Sequence, residues 1–178
     1  MNLGIKFAEQ ELLGTQYIQQ LRPLIQHIPE HRGMTNAYLS GNEGFKDKIA
    51  QKKMQIAADI KAMDSIDSKL GTKLSTTEDW NEIKTQWEAV NNSAGGNSTH
   101  RLPQKEIFTA HTELINHILL LISHAGDTSN LILDPELESG YLMESILKSI
   151  PHTTDNLGKI RGSASGIALR QDVTMEEL

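Results

Sequence analysis

Apolar residues recur at intervals of three and four along most of this chain, and that rhythm predicts its elements. From about Lys6 to Leu39 the repeat passes through Leu13, Tyr17, Leu21, Leu24 and Ile28, with Ile18 and Ile25 beside it, the stripe of one amphipathic helix. Pro23 and Pro29 fall inside it. Each lacks an N–H and crowds the turn before it, so kinks are expected there. Gly41 supplies a stop. A second helix is expected from about Phe45 to Leu70. Phe45, Ile49, Ile56, Ile60, Met63 and Leu70 share one face, Lys48, Lys52, Asp59 and Lys61 hold the opposite one, and Gly71 ends it. A short extra helix near 77–91 opens with hydroxyl and acidic residues, which suit the free N–H groups of a first turn. Its face is Trp80, Ile83, Trp87 and Val90.

The Asn-, Ser- and Gly-rich stretch that follows has no period and reads as a loop between neighbouring helices. From about Gln104 to Leu133, Phe108, His111, Ile115, Ile118, Ile122 and Ala125 form a coiled-coil-like seam, widened by Leu114, Leu119 and Leu121. Asp134 and Pro135 form the junction: the residue before a proline avoids helical geometry, and proline suits the first position of a new helix. That helix, Glu136 to Ile150, carries Leu137, Tyr141, Leu142, Ile146 and Ile150 as its apolar set. Pro151 kinks or restarts the chain. In the last segment, about His152 to Arg170, Leu157, Ile160, Ala164 and Ile167 share a face, and Gly158, Gly162, Ser163, Ser165 and Gly166 would let a neighbour approach closely.

No two-residue alternation and no internal repeat is present. The expected fold is all-α: an up-down-up-down four-helix bundle with Pro-kinked first and last helices and the short extra helix near 77–91. Its arms would be the first helix, the second with its extension, the fourth, and the last pair. One helical domain is expected over residues 1–178.

Composition narrows the function classes. Aromatics make up 4% of the chain, which suits slender helices better than a sheet sandwich. The formal net charge is −6 without a basic patch, which argues against nucleic acid as a partner. With no cysteine, thiol catalysis, disulfides and Cys-based metal sites are excluded, and an oxidising compartment is mildly favoured. No apolar run approaches the roughly 18 residues of a membrane span. The helical pattern near Ile5 and the closing T-M-E-E-L give the look of a domain excised from a longer protein.

Candidate chemistry is sparse. There is no nucleophile elbow, P-loop, H-E-x-x-H or C-x-x-C-H, so no enzyme and no cofactor is expected. His111, His117 and His124 are spaced six and seven apart, whereas ligands on one helix sit three or four apart, so no metal site is expected either. Two Arg-Gly pairs stand out, His31-Arg32-Gly33 and Ile160-Arg161-Gly162. An arginine beside an apolar stripe needs an acceptor. An anionic ligand is one candidate; Asp134, Glu30 or a helix-end carbonyl is the other. Asn130 and Asp134 are polar residues at an apolar helix end, and Tyr141 carries a hydroxyl into an apolar face. Asp134 as a cap and Tyr141 as a satisfied core residue are the plain alternatives. The candidate ligand-binding residues are therefore Arg32, Arg161, His31, Tyr141 and Asn130.

The stretch S-N-L-I-L-D-P-E-L-E-S-G-Y-L-M (129–143), followed by K-S-I-P-H-T-T-D-N-L-G-K-I-R-G, resembles the helical extracytoplasmic sensor regions of methyl-accepting chemotaxis proteins and sensor histidine kinases. Their pattern is S-x-L-x-L-D-P-x-x-x-S-Y-Y-L-M, then L-x-x-x-R-G; here Gly140 replaces the first tyrosine. Glu11, Gly14 and Tyr17 fit an E-x-x-G-x-x-Y element, and the Trp80–Trp87 spacing fits more loosely. His31 to Gly33 are similar, more weakly, to nitrate- and nitrite-sensing helical domains. The resemblance implies a periplasmic input domain of an inner-membrane receptor, anchored through flanking segments. It implies binding of a small ligand, anions and carboxylates included, with the signal passed on by helix displacement. It also implies a homodimer, for which the exposed face of the first helix is a candidate interface. The alternative is a ligand-free structural or partner-binding helical spacer.

Overall fold

A computed structural model describes residues 3–93, 102–132 and 137–170. These are helical almost throughout, with no strand among them. The helices are α1 (Leu3–Leu39), α2 (Lys46–Leu74), α3 (Thr77–Ser93), α4 (Gln104–Thr128), α5 (Leu137–Glu144) and α6 (Ile150–Arg170). A 3₁₀ turn, Glu43–Phe45, precedes α2, and a π turn, Ser145–Ser149, joins α5 to α6.

Cross-helix pairs give the directions. Tyr17 meets Asp67 while Glu30 meets Lys52, so α2 descends alongside α1. Asp64 bonds the Trp80 indole and the backbone of Asn91 receives Lys53, so α3 returns against α2. His124 pairs with Asp79 and His117 with Gln86, so α4 descends beside α3. Gln10 reaches the carbonyl of Thr128 while Gln104 reaches Asn36, so α4 is also antiparallel to α1. Arg32 meets Asp155 and Asn36 meets Gly162, which sets α6 parallel to α1. The core is one continuous cluster from α1 to α4, including Leu21, Leu24, Met63, Trp80, Ile115 and Ile118. From α5–α6 the described residues contribute Leu147.

Several boundaries differ from the sequence reading. The segment expected as a short extra helix is a 17-residue core helix that buries all of Trp80, Ile83, Trp87 and Val90. Helix α2 runs past Gly71 to Leu74 and ends at Ser75, which takes a left-handed conformation (φ 57). Gly71 is needed where the chain reverses: a Cβ there would overlap Thr77 and Asp67, and its carbonyl accepts the Thr76 N–H at 2.9 Å. Helix α4 stops at Thr128 rather than near Leu133. Its orphan carbonyls are taken up locally, the Ser129 N–H bonding Ala125 and the Asn130 N–H bonding Asp127, with Asn130 at φ 64. Asparagine tolerates that conformation better than most residues, so it ends helices. Asp134 and Pro135 lie outside the described residues.

Helix α1 is one helix across Pro23 and Pro29. Near Pro151 the chain adjusts through the π turn, with the Ile150 N–H bonding the Ser145 carbonyl. Proline cannot donate the next hydrogen bond and its ring crowds the carbonyl four residues back, so a widened turn before it relieves both problems and Pro151 enters the first turn of α6.

Candidate functional site

Arg32 is the best-connected of the proposed ligand residues. It projects from α1 between α4 and α6 with 2% of its surface exposed. Its Nη2 lies 2.9 Å from Asp155 Oδ1, Nη1 donates to Thr112 Oγ1 at 3.1 Å, and the guanidinium sits 5.0 Å from the Phe108 ring centroid. Lys159 holds the other Asp155 oxygen at 2.8 Å. The Arg32–Asp155 contact is a charge pair without hydrogen-bond alignment, since Oδ1 has no aligned donor. Burial pulls the Arg32 pKa down; Asp155 works against that, and the nearby positive charge of Arg161 adds to it.

The acceptor of Arg32 is therefore Asp155, not Glu30, and Glu30 is occupied elsewhere. Burial disfavours the Glu30 charge, but Lys52 at 2.6 Å and Gln26 hold its carboxyl below the usual range. Helix α6 comes close enough for the pair because its inner face is small. A Cβ at Gly158 would lie 3.1 Å from Arg32 Nη2, and one at Gly162 would lie 3.0 Å from the Phe108 ring. The sequence carried a signal for this partner: Asp155, Gly158 and Gly162 fall three and four apart, on one helical face.

His31, next in the chain, points into the core. It is fully buried, edge-on to Trp87 at 5.2 Å between ring centroids. Its Nδ1 is 2.8 Å from His111 Nε2, and His111 Nδ1 is 2.7 Å from the Ile107 carbonyl. Burial holds both imidazoles neutral, His31 near a pKa of about 3 and His111 near about 4. The carbonyl can only accept, so His111 carries its proton on Nδ1. His31 must then donate from Nδ1, which leaves its Nε2 a buried acceptor without a partner. This pair is a polar rivet inside the core.

Two cavities open between α1 and α6. One, of about 370 Å³, has an apolar wall that includes Ile25, Leu119 and Leu157 and a polar side of Gln26, Thr154, Arg161 and the carboxylates Glu30 and Asp155, which are paired with Lys52 and with Arg32 and Lys159. The other, of about 270 Å³, lies further up the same cleft and is touched by both Arg32 and Arg161. Arg161 is exposed and has no ion pair or hydrogen bond among the described residues. The structure thus brings the two arginines to one cleft. It separates the other candidates from them: Asn130 caps the far end of α4, and Tyr141 stands 63% exposed on α5 rather than in the core.

Three other histidines have partners on neighbouring helices. His27 pairs with Asp59 at 2.6 Å, His124 with Asp79 at 2.8 Å, and His117 bonds Gln86 at 2.8 Å. Among the described residues no group of three or more His, Cys, Asp or Glu is placed to hold a metal. Nor is any described helix long and apolar enough to cross a membrane. Comparison of the chain with protein-family models, with curated proteins and with solved structures finds no match in any of the three.

Proposed function

We propose that the chain is a non-enzymatic sensor module, the periplasmic input domain of a bacterial transmembrane receptor. In this reading α1–α4 close as an up-down-up-down bundle and α5–α6 lie along its outside as a movable arm. A small ligand, with anions and carboxylates the favoured class, enters the α1–α6 cleft and meets Arg161. Its binding changes how α6 sits against α1, and the shift of α6 is the output. The observation that carries the reading is Arg161: a cation without a partner among the described residues, at the mouth of a half-apolar cavity, two turns from the buried Arg32–Asp155 pair that fastens the same helix. A cavity of this size, with an apolar wall and convergent polar groups of which Arg161 is the cation without an ion-pair partner among the described residues, fits a small organic ligand. The likeness of residues 129–162 to extracytoplasmic sensor regions points the same way.

A thermal-shift panel of inorganic anions, carboxylates and amino acids tests the reading. A cognate ligand at a hundredfold excess over its Kd stabilises the protein by about 2.7 kcal/mol. Arg161→Ala should abolish that shift while leaving the ligand-free Tm near the wild type, since Arg161 is exposed. A panel with no shift, or a hit unaffected by Arg161→Ala, would remove the cleft as the site. The second reading, a ligand-free spacer that binds a protein, is favoured by the apolar outer face of α5–α6.

A further inference from the structure

The charged groups of the α1–α6 cleft are divided between two parts of the molecule. The Arg32 guanidinium is held by the frame: Nη1 donates to Thr112 Oγ1 at 3.1 Å, and the group lies 5.0 Å from the Phe108 ring centroid, both partners being on α4. Its counter-charge, Asp155, is carried by α6. Their contact is incomplete. Asp155 Oδ1 is 2.9 Å from Nη2, yet it is a buried oxygen without an aligned donor, whereas a carboxylate free to turn takes a guanidinium by two parallel N–H···O bonds. Asp155 also has a second partner. Lys159, one turn along α6, holds Oδ2 at 2.8 Å and is 31% exposed, so an Asp155 released from Arg32 keeps a counter-charge on its own helix. Asp155 lines one cavity of the cleft and Arg32 the other, and Pro29, Glu30, Gly158 and Arg161 line both.

We propose that Asp155 is a tethered stand-in for the ligand's own anionic group: a carboxylate on a small apolar body enters beside Arg161 and displaces Asp155 from Arg32. This rests on the cleft reading above and adds to it a second anchor, a ligand class and the event that frees α6. The class follows from the walls. Three cations, Arg32, Lys159 and Arg161, share Asp155 alone among the described residues, because Glu30 is matched by Lys52; the cleft therefore takes up negative charge. Ile25, Leu119 and Leu157 offer hydrocarbon contact, which an inorganic anion cannot use, so benzoate or hexanoate suits the cleft better than nitrate or sulfate. The exchange leaves no buried charge alone: the incoming carboxylate answers Arg32 and Arg161, and Asp155 swings out with α6 on Lys159. Helix α6 has to move for this to happen. Gly158 lies against Arg32, where a Cβ would be 3.1 Å from Nη2, so a ligand reaches the guanidinium only as α6 lifts. While Asp155 holds Arg32, the apparent affinity is lowered by the fraction of molecules in which the pair is open.

Titration calorimetry of the full chain with benzoate and hexanoate, beside nitrate and sulfate, tests the exchange. Asp155→Asn keeps the shape of the side chain and removes its charge. It should bind benzoate at least about tenfold more tightly than the wild type, because the tethered competitor is gone. Asp155→Leu with Arg32→Met should lose benzoate binding although Arg161 is intact. Side-chain NMR of the wild type gives a readout that depends on no variant folding: as benzoate is added, the Arg32 guanidinium resonance should shift together with that of Arg161. Binding that requires Arg161 but leaves Arg32 unmoved, with Asp155→Asn no tighter than the wild type, overturns the exchange and leaves the cleft as the site. Binding that ignores Arg161→Ala removes the cleft and the exchange together. If neither the wild type nor Asp155→Asn takes up benzoate or hexanoate, the exchange falls, whatever nitrate and sulfate do.

Discussion

His31 and His111 tie the stability of the core to proton concentration. Burial lowers both pKa values, to about 3 and about 4, from 6.5 in the exposed group. Protons therefore bind the unfolded chain more tightly than the folded one. The stability contributed by the neutral pair is fully present above pH 6.5 and is lost as pH falls from there toward 4, by up to about 1.4 kcal/mol per pH unit for each histidine. Urea midpoints measured from pH 7 to pH 4.5 should fall steeply in the wild type. The slope should flatten when both are replaced, His31→Met with His111→Met, which conserve approximate volume and remove the titrating rings. An unchanged slope in that variant would assign the acid sensitivity to carboxylates instead. The seam position of His111 was legible, because it falls in register with Ile115 and Ile118. Its bond to His31 was not, because the apolar period of one helix carries no information about which residue of another it meets.

Among the elements, α6 departs furthest from the sequence expectation, and the reason is chemical. Reading periodicity assumes that the apolar side turns inward. Here the inner side of α6 must meet a buried guanidinium and a phenyl ring, so it carries Asp155, Gly158 and Gly162; Ile160 is left outside, and Leu157 lies mostly exposed at the α1–α6 cleft. Arg32 was recognisable as an arginine in need of an acceptor; the acceptor, 123 positions further along, was not. The same pair governs docking. Asp155→Leu leaves Arg32 buried without its counter-charge, and removing one partner of such a pair costs about 3–5 kcal/mol. Arg32→Met added to Asp155→Leu should recover much of that loss, because two apolar side chains tolerate the site. Chemical denaturation of the two single variants and the double variant checks this; strictly additive losses would show that the pair is not coupled. The sequence element Glu11, Gly14, Tyr17 also acquires a structural meaning. A Cβ at Gly14 would overlap Ser129, so glycine lets α1 cross the end of α4 closely, and the Tyr17 hydroxyl bonds Asp67 at 2.7 Å.

At the scale of the whole molecule, strength is unevenly distributed. Helices α1–α4 share one apolar core, and the Trp80–Val90 face that looked like an appendage in the sequence lies within it. Among the described residues, the arm α5–α6 joins that core through Leu147 and is fastened by the Arg32–Asp155 pair, the Asn36–Gly162 hydrogen bond, the Lys148–Asp127 ion pair and close glycine contacts. The proposed sensor reading, in which one helix moves, requires this division: a stable frame and an arm that opens at lower cost. Native-state hydrogen exchange measures both parts in one experiment. Amides of Leu114–Ile122 in α4 should exchange only through global unfolding, while those of Thr154–Gly162 in α6 should exchange through a sub-global opening at least about 2 kcal/mol less costly. If α6 is protected to the same free energy as α4, the arm is part of the frame and does not serve as the moving element.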